Sequence, residues 1–151
     1  MIRLTILGEP ASKANSREMA TIGRGDTRRT ILRKSDKALG YETDALRQIP
    51  PAARQRLEGP LRVTLRIWYA SERPDLDESL ILDVLQDRWK RVKETGQRVL
   101  LQSGVYRNDR QVREKHVFWA LDKANPRTEV EIEPLATGAA GAQLDLLGEA
   151  A

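Results

Sequence analysis

Apolar and polar residues alternate most strictly from Leu61 to Tyr69: Leu61, Val63, Leu65, Ile67 and Tyr69 share one parity, Arg62, Thr64, Arg66 and Trp68 the other. That period of two predicts a β-strand with one buried face. Ile2, Leu4 and Ile6 repeat the pattern up to Gly8-Glu9-Pro10, as do Val130 and Ile132 among Glu129, Glu131 and Glu133 before Pro134. Val112–Leu121 also reads as a strand, with Val117 and Trp119 on one face and Phe118 on the other, whereas Gln97–Gln102 fits strand or loop. The spacing turns helical twice. Ser35 is the expected N-cap of a helix through Ala38, Tyr41, Ala45, Leu46 and Ile49, stopped by Pro50-Pro51. A short helical turn follows over Ala52–Leu57. A second helix is predicted from Glu78 to about Lys93, with Leu80, Ile81, Val84, Leu85, Trp89 and Val92 as its apolar stripe. Lys90, Arg91 and Lys93 would then suit the negative end of its dipole. The sum is an α+β fold, a small mixed sheet with packed helices, in one domain over 1–135. Residues 136–151, rich in Ala and Gly, read as a flexible tail.

Composition narrows the chemistry. The 151 residues include no cysteine and one histidine, His116. This excludes thiol catalysis, disulfides and Cys-held zinc, and leaves no second imidazole for His-metal nucleases. Any bound metal would be held by carboxylates, hence a hard cation such as Mg²⁺ or Mn²⁺. No apolar run approaches the roughly 18–20 residues of a membrane span, and Ile2–Leu7 is too short for a signal peptide. The expectation is a soluble, cytoplasmic protein. Trp68, Trp89, Phe118 and Trp119 are read as core or dimer contacts rather than base-stacking groups.

The net charge is +4, but it is unevenly placed. Between Ala11 and Lys34, Lys13, Arg17, Arg24, Arg28, Arg29, Arg33 and Lys34 face only Glu18 and Asp26, a local +5. With Gly23-Arg24-Gly25 and little periodicity, the segment reads as a mobile basic arm, either merely solvated or contacting phosphates. Arg107, Arg110, Arg113 and Lys115 form a second cationic stretch.

Acids gather before the second helix as Asp75, Asp77 and Glu78. Side chains two apart in extended chain point the same way, so Asp75 and Asp77 can share a divalent cation. Capping is the other reading, since Asp77 is a good N-cap. Asp109 lies in a turn at the mouth of the Val112 strand, and by itself is an ordinary turn residue.

In order along the chain, Gly8-Glu9-Pro10-Ala11-Ser12-Lys13, Asp75-Leu76-Asp77, Gly104-Val105 and Asn108-Asp109-Arg110-Gln111-Val112 resemble the motifs of RusA-type Holliday junction resolvases of bacteria and their phages. The resemblance covers roughly residues 2 to 134. It implies a Mg²⁺-dependent endonuclease, a homodimer acting on four-way DNA junctions, with Asp75, Asp77 and Asp109 as catalytic metal ligands. Lys13, Arg17, Arg24, Arg28, Arg29, Arg107, Arg110 and Arg113 are the expected DNA contacts. The chain departs from the family in having Glu78 where Asn is usual and Ile81 where a lysine is usual, and its link to the acidic turn is longer. Lys13 or a cation from Lys90 to Lys93 is nominated in the lysine's place. A branched-DNA-binding protein that does not cut is the second reading, and an adaptor whose acids only cap is the third.

At the end of the tail, Gln143-Leu144-Asp145-Leu146-Leu147 resembles the peptide by which bacterial proteins bind the sliding clamp. Gln143, Leu144, Leu146 and Leu147 would be the anchors. A C-terminal turn docking on its own domain is the alternative.

Overall fold

A computed structural model describes residues 1–12 and 15–136. In chain order the elements are β1 (Ile2–Leu7), β2 (Arg17–Ile22), β3 (Arg29–Lys34), α1 (Asp36–Gln48), β4 (Leu61–Tyr69), α2 (Ser79–Leu85), β5 (Arg88–Arg91), β6 (Arg98–Gln102), β7 (Val112–Leu121) and β8 (Arg127–Pro134). The fold is α+β. The main sheet has the order β1-β8-β4-β7, with β4 and β7 parallel and the other pairs antiparallel. A parallel pair needs a long crossover, and α2 lies within it.

Burial follows the sequence parity. Leu61, Val63, Leu65, Ile67 and Tyr69 of β4 are wholly buried, and they join Ile6, Val130 and Ile132 in one core with Ala38, Tyr41 and Ala45 of α1 and Leu80, Ile81, Val84 and Leu85 of α2. The opposite face of the sheet carries a ladder of charges: Arg62 bridges Glu114 and Glu133, each at 2.8 Å, and Arg66 and Arg3 flank Glu131. Ser35 caps α1 as expected, accepting from the Ala38 N–H at 3.2 Å. Among the described residues no helix is long and apolar enough to cross a membrane.

Three expectations are corrected. The basic segment is a β-hairpin, not an unstructured arm: β2 and β3 pair through six positions, from Arg17 opposite Lys34 to Ile22 opposite Arg29. Its turn needs Gly23, whose φ is 90° and where a Cβ would lie 2.3 Å from the Thr27 carbonyl oxygen. Periodicity did not announce it because neither face is buried; Met19 and Leu32, opposite one another, both stand exposed.

The second helix stops at Leu85, and Arg88–Arg91 turns back as a strand against Arg98–Gln102. Asp87 is the reason. Its carboxylate is 1% exposed and accepts from the Gly104 N–H at 2.8 Å and from the Arg56 guanidinium at 2.8 Å, which draws the chain out of the helix. Lys90, Arg91 and Lys93 therefore belong to a hairpin rather than a helix end. The extra length before the acidic turn is this hairpin. The aromatic reading also changes. Trp89, Phe118 and Trp119 are 43%, 51% and 40% exposed, and Trp68 is half-buried with the Arg127 guanidinium 4.2 Å from its ring centre, so none of the four is a core residue.

Candidate functional site

The bend between β4 and α2 is held from below by Tyr69, the last residue of β4 and wholly buried. Its hydroxyl donates to the Asp75 carbonyl oxygen and accepts from the Asp77 N–H, both at 3.2 Å. Trp119 of β7 stacks against the Tyr69 ring at 6.3 Å. The two Asp77 oxygens have different surroundings. Oδ1 accepts from Ser79 N at 3.0 Å and Ser79 Oγ at 2.7 Å, although the N-cap of α2 is Glu78 and not Asp77 as the sequence suggested. Oδ2 is buried and has no hydrogen-bond partner among the described residues. The Ser79 contact thus occupies one oxygen, and the other is buried without a partner. Asp75 is exposed on the same bend.

Two more carboxylates stand nearby. Glu9 accepts from the Ala70 N–H at 2.8 Å and is 3.5 Å from Lys37, and Glu78 pairs with Lys115 of β7. Burial raises the Tyr69 hydroxyl above its usual range, and the charges of Asp77, Glu9 and Glu78 push the same way, against the hydrogen bond from Asp77 N–H. Sequence reasoning placed Glu9 only inside a turn motif. Three strands and α1 separate it from Asp77 in the chain, and only the fold brings them together.

Asp109 opens a one-turn 3-10 helix, Asp109–Gln111. Gln111 locks that turn: its Oε1 accepts from the Arg107 and Asn108 N–H groups, and its Nε2 donates to the Leu57 and Gly59 carbonyls. Gln86 links the turn to α2, accepting from the Asp109 N–H and donating to Asp83 Oδ1, both at 3.3 Å. Burial raises the Asp83 carboxyl above its ordinary range; Lys34 opposes the rise, and the Asp109 and Glu42 charges add to it. Tyr106, which donates to the Leu82 carbonyl, is raised chiefly by burial and then by Asp109 and Asp83. The acidic neighbour of Asp109 is therefore Asp83, toward the C-terminal end of α2, while Asp75 and Asp77 lie before its first turn. The rise from Ser79 to Asp83 is about 6 Å. Among the described residues no three His, Asp or Glu side chains are gathered closely enough to hold a metal ion.

The donor set is still that of a hard cation: oxygen only, with one buried oxygen lacking a partner. Glu42 of α1, 10% exposed, supports the second group by binding Lys34 of β3 at 2.6 Å and Arg88 of β5 at 2.7 Å. One carboxylate thereby fixes the bases of both hairpins. Sequence reasoning missed Glu42, since a single acid within a helix carries no local signal.

The expected DNA contacts are spread over two regions. Arg17, Arg24, Arg28 and Arg29 lie exposed on the β2–β3 hairpin and form no ion pair with another described residue. Arg110 and Arg113 are likewise exposed beside Asp109, whereas Arg107 pairs with Glu58. Arg113 is the additional residue where the β4–β7 register shifts, between Leu61–Val112 and Arg62–Glu114. Lys13 and the clamp-like residues Gln143, Leu144, Leu146 and Leu147 lie outside the described residues. Compared with known proteins, the chain matches no family model and no curated protein.

Proposed function

We propose that this chain is a Mg²⁺-dependent endonuclease of the RusA type, hydrolysing phosphodiester bonds at four-way DNA junctions in recombination and repair. The observation that carries the reading is Asp77, whose Oδ2 is buried without a partner on a bend clamped by Tyr69. Asp75 and Asp77 at the head of α2, and Asp109 beside Asp83, would offer oxygens to Mg²⁺ or Mn²⁺ at two neighbouring positions, and the metal when bound would supply a water of lowered pKa and positive charge at the phosphoryl oxygens. The chain's own groups do the rest. Tyr69 fixes the backbone that aims Asp75 and Asp77, Gln111 fixes the turn that carries Asp109, and the exposed arginines of the β2–β3 hairpin hold phosphates on either side of the scissile bond. A homodimer would offer two such sites to the two-fold symmetry of a junction. The setting is the cytoplasm of a bacterial or phage-infected cell.

One observation favours a binder that does not cut. Ile81, where the family has a lysine, is wholly buried, so that part of α2 presents no cation to a phosphate. Lys115, paired with Glu78 beside the Asp77 bend, is the cation nearest to that duty. Incubation with a synthetic junction decides. Paired cuts that require Mg²⁺ support the nuclease, binding without cuts supports the second reading, and neither result overturns both.

A further inference from the structure

Apart from Arg88, which binds Glu42 at its base, the β5–β6 hairpin supplies no side chain to the carboxylate site. Its strands pair only with each other. Over residues 88–102 it holds five cations, Arg88, Lys90, Arg91, Lys93 and Arg98, against Glu94, a net +4 equal to that of the whole chain. Lys90, Lys93 and Arg98 form no ion pair with another described residue. The hairpin also exposes Trp89, Val99 and Leu101 to solvent. An isolated two-stranded ribbon gains little stability from such residues.

Register sorts these groups by face. Trp89 lies opposite Leu100 and Arg91 opposite Arg98, so one face presents an indole, a leucine and two guanidiniums. The Arg98 guanidinium lies over the Trp89 ring, 5.3 Å from its centre. At the base of the hairpin is a cleft of about 280 Å³ bordered by Trp89, Leu101, Arg88 and Lys34, with Asp83 and Glu42 among its walls. Lys34 belongs to the other basic hairpin, so both cationic ribbons border one opening next to Asp83, the carboxylate on which the Asp109 charge acts.

A planar ring beside a guanidinium, in a field of unneutralised cations, is the chemistry that takes the face of a nucleobase and the phosphates flanking it. A fully paired duplex buries its base faces in its own stack and offers only phosphates and groove edges. We propose that the β5–β6 hairpin is a stacking platform for an unpaired nucleotide of DNA, with Trp89 and Arg98 holding the base and Arg91 and Lys93 the adjoining phosphates. This rests on reading the chain as a branched-DNA protein, but not on its cutting anything. It assigns the hairpin the recognition of strand exchange points, where bases leave the stack.

The test uses the full chain without divalent metal, and reads the anisotropy of a fluorescein-labelled duplex against the same duplex with a short unpaired thymine bulge. Native protein binds the bulged DNA more tightly than the duplex. Trp89→Ala removes that preference, with a loss of about five- to a hundred-fold on bulged DNA and little change on duplex. Trp89→Phe keeps most of it, and Arg98→Gln loses part. Circular dichroism of each variant matches the native chain, since Trp89 is outside the core. A Trp89→Ala protein that still prefers the bulge, or a native protein without the preference, overturns the platform. So does sedimentation showing that Trp89→Ala abolishes self-association and leaves DNA binding unaltered, which gives the face to a second copy of the chain. Junction cleavage with no bulge preference would overturn the platform and leave the nuclease; bulge preference without cleavage would do the reverse.

Discussion

Tyr69 holds Asp77 by the backbone rather than by the carboxylate: the phenol oxygen takes the Asp77 N–H at 3.2 Å and leaves both side-chain oxygens for other partners. The aim of Asp77 therefore depends on one hydroxyl. Tyr69→Phe should cost about 0.5–1.5 kcal/mol of stability for each hydrogen bond removed. Mg²⁺-dependent junction cleavage should fall about ten- to a hundred-fold, the scale set by small misplacements of a reacting group. Urea melts and single-turnover cleavage separate the two effects. Unaltered cleavage would remove Tyr69 from the site.

Asp77→Asn separates the Ser79 contact from metal binding. Asparagine keeps an oxygen for the Ser79 N–H, so stability should stay close to native, whereas Asp77→Ala should lose about 1 kcal/mol with that bond. Cleavage should vanish in both variants, and junction binding should hold or tighten as repulsion with phosphate is lifted. Cutting at the native rate by the asparagine variant would reduce Asp77 to a holder of Ser79.

On the β2–β3 hairpin, neutralising Arg24, Arg28 and Arg29 together should weaken DNA binding. The slope of log K against log salt should flatten by up to about 0.9 for each duplex phosphate that is no longer neutralised. Because these side chains project from an exposed ribbon, thermal stability should be unchanged. An unchanged slope would make the ribbon a solvated surface feature.

Acid should act through Glu42. Its burial favours the neutral form, but the hydrogen bonds and charges of Lys34 and Arg88 outweigh that, and the carboxyl is held below its ordinary 4.5. A depressed carboxyl contributes stability that is present above the unfolded value and is lost as pH falls through the folded one. The native chain should therefore lose stability progressively below about pH 4.5, with Glu42→Gln showing a shallower acid limb in urea melts. Asp83 has the opposite sign. Its raised carboxyl disfavours the ionised fold as pH climbs past 3.8, so Asp83→Asn should be the more stable protein at neutral pH.

A peptide spanning Gln143–Leu147 should bind a bacterial sliding clamp in the micromolar range, as short peptides that order on binding commonly do. Leu146→Ala with Leu147→Ala should remove that binding and leave junction cleavage unaffected when no clamp is present. Calorimetry with peptide and clamp is sufficient, and silence at high micromolar concentration would end the idea.

Elements with a buried face were legible in the chain. The parity of Leu61–Tyr69 and of Thr128–Ile132 states which side meets the core, and Ser35 with Pro50-Pro51 marks both ends of α1. Neither hairpin could be read that way, because with no buried face the period of two has nothing to record. Trp89 and Val92 misled for a related reason: they fall at helical spacing from Leu85, while the residue that ends α2, Asp87, acts through Gly104 and Arg56 far along the chain. The Asp75–Asp77 bend was visible as a local pattern. Its neighbours Glu9 and Glu78–Lys115, and the proximity of Asp109 to Asp83, are products of strand order and helix placement.

Gly104 closes against the end of α2 so tightly that a Cβ there would stand 2.3 Å from the Gln86 carbonyl carbon and 2.5 Å from the Asp87 nitrogen. The chain thus leaves the body and returns to it at nearly one point. What lies between is an appendix whose size the main sheet does not sense, and the entropy of closing such a loop grows only slowly with its length. Lengthening, trimming or exchanging Arg88–Gln102 would alter how far the molecule reaches while the core stays as it is, which makes this joint a natural place for one scaffold to acquire different binding preferences.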